Sequence, residues 1–311
     1  MINLTMPPTR AAITLYTILF LALLAALNLC GNRGERRLEI GIRAQRILYL
    51  KDRRKHIARD CKLAYVHVPK TGGTTIEDSS LFDDKRRLGI SPRSHFSVRA
   101  LKNASETDGF VVATHIRDPC ERFVSAFIYM RYDDRSKGVR QHARNFGLFE
   151  SETIEELVDW LDKTDSWNSL KSDIFHFKPM VFWMVDADTE SFGVDVVMCQ
   201  EEWEEGVTRL VEKLQVKPIP RNILAHKRVN KAHTKTCKDL EPRYYEKIMD
   251  EYALDACLFG YGSFGLGNFS IVDRNETNCI GAQFDRSWFS ERLAFCKVAL
   301  GTNITSTDLV G

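Results

Sequence analysis

The sequence predicts an α/β fold in which a mainly parallel sheet is flanked by helices, and three observations predict it. Short apolar runs rich in strand-forming residues recur at 63–68, 110–116 and 195–199. Each run leads toward a helical pattern, and strands alternating with helices build parallel sheets. The first run also delivers the chain into a glycine-containing loop followed by a helix start, which is the layout of an anion site.

At 311 residues, with 44% hydrophobic and 28% charged residues, the chain can bury one sizeable core and carry appendages. The net charge of +2 decides little, because the charge is unevenly spread. Residues 11–30, AAITLYTILFLALLAALNLC, are the one long apolar run and hold no charge. Twenty helical residues span about 30 Å, the thickness of a bilayer's hydrocarbon core. The run therefore predicts a transmembrane signal anchor behind a cytoplasmic tail at 1–10, with a cleaved signal as the alternative.

Orientation draws on competing signals. Arg10 precedes the run while Arg33, Arg36 and Arg37 follow it, which by the positive-inside rule opposes a lumenal body. Sequons at Asn103, Asn268, Asn275 and Asn303 favour one. Seven of the eight cysteines also follow the run, with none of the spacings of a zinc site. Scattered cysteines of this kind read as disulfides in an oxidising lumen, with buried free thiols as the alternative. Cys279 with Cys296 and Cys237 with Cys257 are the first pairs to expect.

Residues 31–60 read as a basic stem: from Arg33 to Lys62 there are eleven Lys or Arg against four Asp or Glu. Then the strand at 63–68 runs into VHVPKTGGTT, residues 66–75. Gly72 and Gly73 permit close backbone approach, Thr71, Thr74 and Thr75 add hydroxyl donors, and Lys70 adds a mobile cation. A Walker A loop carries its lysine after the glycines. Here Lys70 precedes them, which disfavours a nucleotide triphosphatase.

The strand at 110–116 meets Arg117, Asp118 and Pro119, a capping carboxylate followed by proline at the first helical position. Phe123, Phe127 and Met130 then recur at helical spacing. Arg117 at the strand end and Ser125 two turns into the helix can reach one phosphate. Two anion sites at the ends of two strands suit a ligand with two separated phosphate groups. Helices are expected at 153–161, 201–214 and 242–258, and core packing for Trp183 and Trp203. A second basic cluster, Arg221, Lys227, Arg228, Lys231, Lys235 and Lys238, suits an anionic ligand or a solvated face. Residues 263–311, with three of the sequons, read as a glycosylatable C-terminal extension closed by Cys279 and Cys296.

PKTGGTT at 69–75 and RDPCERFVSAF at 117–127 resemble the two signature motifs of the sulfotransferases. The nearer likeness is to the Golgi carbohydrate sulfotransferases, and within them to the uronyl 2-O-sulfotransferase-like branch. It extends from about Lys62 to Tyr261, takes in Glu201 and the closing YALDACLFGY, and marks 61–262 as the catalytic domain. The resemblance implies a P-loop-like sheet and PAPS (3′-phosphoadenosine-5′-phosphosulfate) as sulfuryl donor. It implies that Lys70, Thr71, Gly72, Gly73, Thr74 and Thr75 hold the phosphosulfate and that Arg117 and Ser125 hold the 3′-phosphate. Arg228, in HKRVNK, would close over the cofactor.

The reaction so implied needs no metal. Lys70 would neutralise the bridging oxygen as its bond breaks, and His95, in SPRSHFSVRAL, would be the general base. The relatives carry a histidine-glycine-histidine context where Ser94 precedes His95 here, and Glu77 and His115 are the competing bases. His67 is expected to pack in the first strand. Arg122 is expected to pair with Glu121 or Asp118, or else to assist the 3′-phosphate. The implied protein is a Golgi membrane protein, single-pass type II, with a lumenal catalytic domain, a glycan acceptor, a membrane contact through its N-terminal helix and no nucleic-acid partner. The alternatives are a nucleotide kinase or triphosphatase on a related fold, and a catalytically silent glycan-binding protein.

Overall fold

A computed structural model of the chain describes residues 57–58, 62–77, 97–102, 109–132, 144, 148, 150–186, 191–215, 235–262 and 286–301. The apolar run 11–30, nearly all of the stem, His95, Arg228, Cys279 and the four sequon asparagines lie outside those residues. Among the described residues no helix is long and apolar enough to cross a membrane.

In chain order the first elements are β1 (Ile57–Ala58), β2 (Leu63–Val66), α1 (Gly73–Glu77), α2 (Val98–Lys102), β3 (Val111–Ile116), α3 (Pro119–Tyr132), α4 (Ile154–Thr164) and α5 (Trp167–Asp173). There follow α6 (Val181–Met184), β4 (Val185–Asp186), β5 (Ser191–Phe192), β6 (Val196–Cys199) and α7 (Trp203–Leu214). A 3-10 turn (Cys237–Asp239), α8 (Pro242–Glu251), α9 (Ala253–Phe259) and α10 (Arg286–Ala299) complete the set.

The main sheet runs β1-β2-β3-β6, with β1 antiparallel to β2 and the other neighbours parallel. β4 and β5 form a separate antiparallel pair. The mainly parallel α/β sheet is thus as the sequence predicts. Its three parallel strands are largely apolar on both faces because both faces are covered. Leu63, Tyr65, Ala113, Val196 and Met198 pack with Val207, Leu210 and Val211 of α7. The alternate residues Ala64, Val66, Ile116, Val197 and Cys199 face the larger core that holds α3, α4, α8 and α9. A one-residue slip of register would exchange the two sets.

The strand expected at 63–68 stops at Val66, where the Thr114 hydroxyl donates to the Val66 carbonyl (2.7 Å). α3 begins as its sequence requires: Pro119 is its first residue, and Asp118 Oδ1 accepts the Glu121 N–H (2.9 Å). α4 is capped by Thr153, whose side chain accepts the Glu156 N–H, and it ends at Asp165 in the left-handed conformation. The single helix expected at 242–258 is two helices meeting at Tyr252. This break sets two buried groups against the segment before α6. The Tyr252 hydroxyl donates to Phe177 O (2.6 Å), and the Asp255 carboxylate accepts the N–H groups of Met180 (2.6 Å) and Val181 (2.9 Å).

The disulfides correct the expected pairing. Cys237 is bonded to Cys120 and Cys257 to Cys296, so neither Cys237–Cys257 nor Cys279–Cys296 forms; Cys199 is disulfide-bonded as well. For Cys257 the cause is the docking of α10 on the body. Phe289, Leu293 and Cys296 lie on one helical face and are buried. Phe289 stacks on Phe192 of β5 (centroids 4.4 Å), and Arg292 donates twice to the Cys257 carbonyl (2.9 and 2.7 Å). The C-terminal segment therefore contributes to the core rather than closing on itself.

Candidate active site

β2 and β3 are parallel neighbours, so the loop after β2 and the turn after β3 leave the sheet at the same end, about one strand spacing (~4.8 Å) apart. The loop is shaped by its own backbone. Lys70 adopts φ +69° and Gly72 φ +90°. A left-handed lysine costs on the order of 1 kcal/mol, a strain retained where the surroundings over-determine it. The buried Thr71 hydroxyl donates to the Val68 carbonyl (2.9 Å), and the Thr75 N–H donates to the Gly72 carbonyl (3.0 Å), leading the chain into α1. A hydroxyl has one proton, so while it donates to Val68 the Thr71 hydroxyl shapes the loop and is not itself a donor to a ligand. Thr75 is buried too, whereas Lys70, Gly72 and Thr74 are partly exposed.

Gly73 has a packing reason to be glycine. A Cβ there would lie 2.6 Å from His67 Cδ2 and 2.7 Å from the Tyr65 hydroxyl oxygen. The loop thus rests directly on a buried histidine and a buried tyrosine. His67 Nδ1 lies 2.9 Å from Glu77 Oε1 of α1, which ties the two ends of the loop together.

The lysine of this loop meets the second motif. Lys70 Nζ sits 4.2 Å from the ring centroid of Tyr129, one turn beyond Ser125 on α3. A cation over an aromatic face is worth about 0.5–2 kcal/mol. The Tyr129 ring in turn lies 4.9 Å from that of His176. Burial, with Lys70 and Arg122 nearby, pushes His176 down to about 3, so it is neutral. The backbone around His176 is fixed from below by Arg122, whose guanidinium donates to His176 O (3.0 Å) and Lys178 O (2.6 Å). Arg122 is 1% exposed, and burial lowers its pKa. It is a scaffold group, and its partners are these carbonyls rather than Glu121 or Asp118.

It is Arg117 that pairs with Glu121, Nη2 to Oε2 at 3.0 Å. Both are about a quarter exposed at the side chain, 26% and 23%. The other Glu121 oxygen accepts the Cys237 N–H (3.0 Å). Ser125, two turns into α3, is partly exposed. Below this turn lie two acids, Asp118 buried and Glu201 partly buried. Glu201 accepts the Asp118 N–H (2.8 Å) with one oxygen and the Tyr261 hydroxyl (2.9 Å) with the other. Burial raises both acids, Asp118 to about 7, with the neighbouring Glu201 and Glu121 carboxylates adding to the shift.

The competing bases are placed as follows. Glu77 is engaged with His67. His115 is fully buried, its Nδ1 2.9 Å from the Tyr65 hydroxyl and its ring stacked on Trp203 at 4.5 Å. His67 lies just past the end of β2, under the loop. Trp183 and Trp203 are core residues, as expected. Among the described residues one cluster has metal-ligating types, Asp118 with Cys120 and Cys237, but both sulfurs are joined in the disulfide and one carboxylate alone holds no ion.

Sequence reasoning missed Tyr129, Glu121 and His176 as members of the site. The first two carry a signal, since Tyr129 stands four residues after Ser125 and Glu121 four after Arg117, the spacing of helical neighbours. His176 carries none. Comparison with known proteins gives one match: the model of the family described as "Sulfotransferase family" covers residues 53–262, about two thirds of the chain. No curated protein and no solved structure matches.

Proposed function

The chain belongs to the sulfotransferase family, and on that premise we propose that it transfers the sulfuryl group of PAPS to a hydroxyl of a carbohydrate, with an acidic glycan as acceptor. One observation carries the reading: the lysine–glycine loop and the Arg117 turn leave adjacent parallel strands side by side, with Lys70 lying against the helix that carries Ser125. A donor with a phosphosulfate at one end and a phosphate at the other fits such a pair of anion-holding elements.

The donor supplies a sulfur bonded to a good leaving group, the 5′-phosphate. The protein's part is to orient the reacting atoms, hold charge and take a proton. The acceptor oxygen bonds to sulfur as the bond from sulfur to the bridging oxygen breaks, and the electrons of that bond go to the phosphate. Lys70 holds the growing negative charge there. Gly72, Gly73 and the Thr74 hydroxyl line the same end, and Arg117 and Ser125 bind the 3′-phosphate. His95, outside the described residues, takes the acceptor proton. Arg228, also outside them, closes over the donor.

The same proposal makes the protein a single-pass type II Golgi membrane protein, anchored by residues 11–30 with a lumenal body. The bonded cysteines Cys120–Cys237 and Cys257–Cys296 support an oxidising compartment. The reading is tested by incubating the full chain with radiolabelled PAPS and a panel of desulfated glycans. Transfer of label to one of them is expected. No transfer to any acceptor, together with no binding of the bisphosphate product PAP, would overturn it.

A further inference from the structure

Arg117 is a long side chain at a strand end, about a quarter exposed, and binding a phosphate with it requires that its fork be held. Among the described residues its hydrogen-bonding partner is Glu121, one turn on, through Nη2 alone. The guanidinium has five N–H donors, so most of the fork stays available to a ligand.

Glu121 is fixed by a closed circuit of bonds. The preceding residue, Cys120, is bonded through its sulfur to Cys237, and the Glu121 carboxylate accepts the N–H of that same Cys237 (3.0 Å). Backbone, disulfide and hydrogen bond thus form one small ring with the carboxylate in it. The Cys237 end is itself stiff, because Thr236 and Asp239 cap each other across the 3-10 turn and Lys235 is paired with Glu155 (2.6 Å). The Glu121 N–H is held by Asp118 at the helix start. Every polar group of Glu121 is committed, and the last of its bonds is to the arginine.

We infer that Glu121 is a positioning residue for the donor: locked by the Cys120–Cys237 disulfide, it sets the Arg117 guanidinium for the 3′-phosphate. This rests on the reading of Arg117 as the 3′-phosphate ligand. Simple charge arithmetic gives the opposite sign. A carboxylate beside a phosphate site repels the ligand, so by Coulomb's law alone its removal tightens binding. If preorganisation dominates, removal loosens binding. The sign of one measurement separates the two.

The experiment is PAP binding by calorimetry and steady-state kinetics with PAPS, using the full chain. Glu121→Gln and Glu121→Ala are expected to weaken PAP binding by about fivefold or more, about 1 kcal/mol. They should raise KM for PAPS equally and leave kcat at saturating PAPS within about twofold. In an Arg117→Ala background the same changes should have no further effect, because the residue acts through the arginine. The pair Cys120→Ser with Cys237→Ser should reproduce part of the loss. Equal or tighter PAP binding by the Glu121 variants overturns the inference, as does an undiminished loss in the Arg117→Ala background. If the unaltered chain binds no PAP, the donor reading falls first and this inference with it.

Discussion

The Arg122 guanidinium reaches across the core to the His176 carbonyl, 3.0 Å from Nη1, and with its other nitrogen takes the Lys178 carbonyl at 2.6 Å. One cation thereby satisfies two carbonyls of a segment that Tyr252 and Asp255 hold from α8–α9. Arg122→Lys keeps the charge and loses the fork. It should cost about 2–3 kcal/mol of stability, because one buried carbonyl is left unpaired. Since His176 packs against Tyr129 under Lys70, transfer should also slow. Chemical denaturation and initial rates measure both, and an unchanged denaturation midpoint would show that the fork is dispensable.

Lys70 combines a strained backbone with the proposed role at the bridging oxygen. Lys70→Gly relieves the left-handed conformation, offsetting the entropy that a new glycine adds to the unfolded chain. The thermal midpoint should therefore remain at or above that of the unaltered protein, while transfer falls by at least about 100-fold from lost charge stabilisation. A large drop in midpoint would mean that the Tyr129 contact outweighs the strain.

Gly73→Ala tests how closely the loop sits on its bed. The new methyl would lie within 2.7 Å of both His67 and Tyr65, neither of which is free to withdraw from the core. A destabilisation of about 1–3 kcal/mol is expected. PAP affinity should fall as well, since the backbone must lift. Retention of both would place the loop farther from His67 than described.

Asp118 gives a pH dependence of definite sign. Its carboxyl titrates near 7 when folded, against 3.8 for the free group. Between those values the folded protein holds a proton that the unfolded chain has released. The stability from this group is therefore full below about pH 4 and is lost as pH rises through 7, on the order of 4 kcal/mol in all. Asp118→Asn keeps a capping acceptor and cannot titrate. Thermal midpoints measured from pH 4 to 8 should slope less for the variant, and parallel curves would exclude Asp118 as a source of the slope.

Much of this arrangement was legible in the chain itself. The three parallel strands follow from apolar runs, and the start of α3 follows from Asp118–Pro119. The partner of Glu121 was legible only in the four-residue spacing from Arg117, which stands before the Asp118 cap and outside α3, whereas 121 and 122 lie within it and point about 100° apart. The cysteine pairing was not. Cys120 and Cys237 are 117 residues apart, and only the packed fold brings the start of α3 to the 3-10 turn. Nor was the direction of the Thr71 hydroxyl, which depends on the turned backbone of 68–72 that composition does not convey. The break at Tyr252 likewise arises from tertiary bonds to Phe177 and Met180, which override a continuous helical pattern.

The family match ends at residue 262, but the protein's folding does not. α10 lies beyond that limit and supplies the ring that stacks on Phe192, the two donors on the Cys257 carbonyl and the partner sulfur of Cys257. What is shared by descent and what is needed for a closed interior are here two different lengths of chain. A fragment cut at 262 would present Phe192 to water and leave Cys257 as an unpaired thiol, open to cross-linking between molecules under oxidising conditions. The C-terminal helix is thus part of the body's own wall, and expression of that body should begin from chains that extend past Gly301.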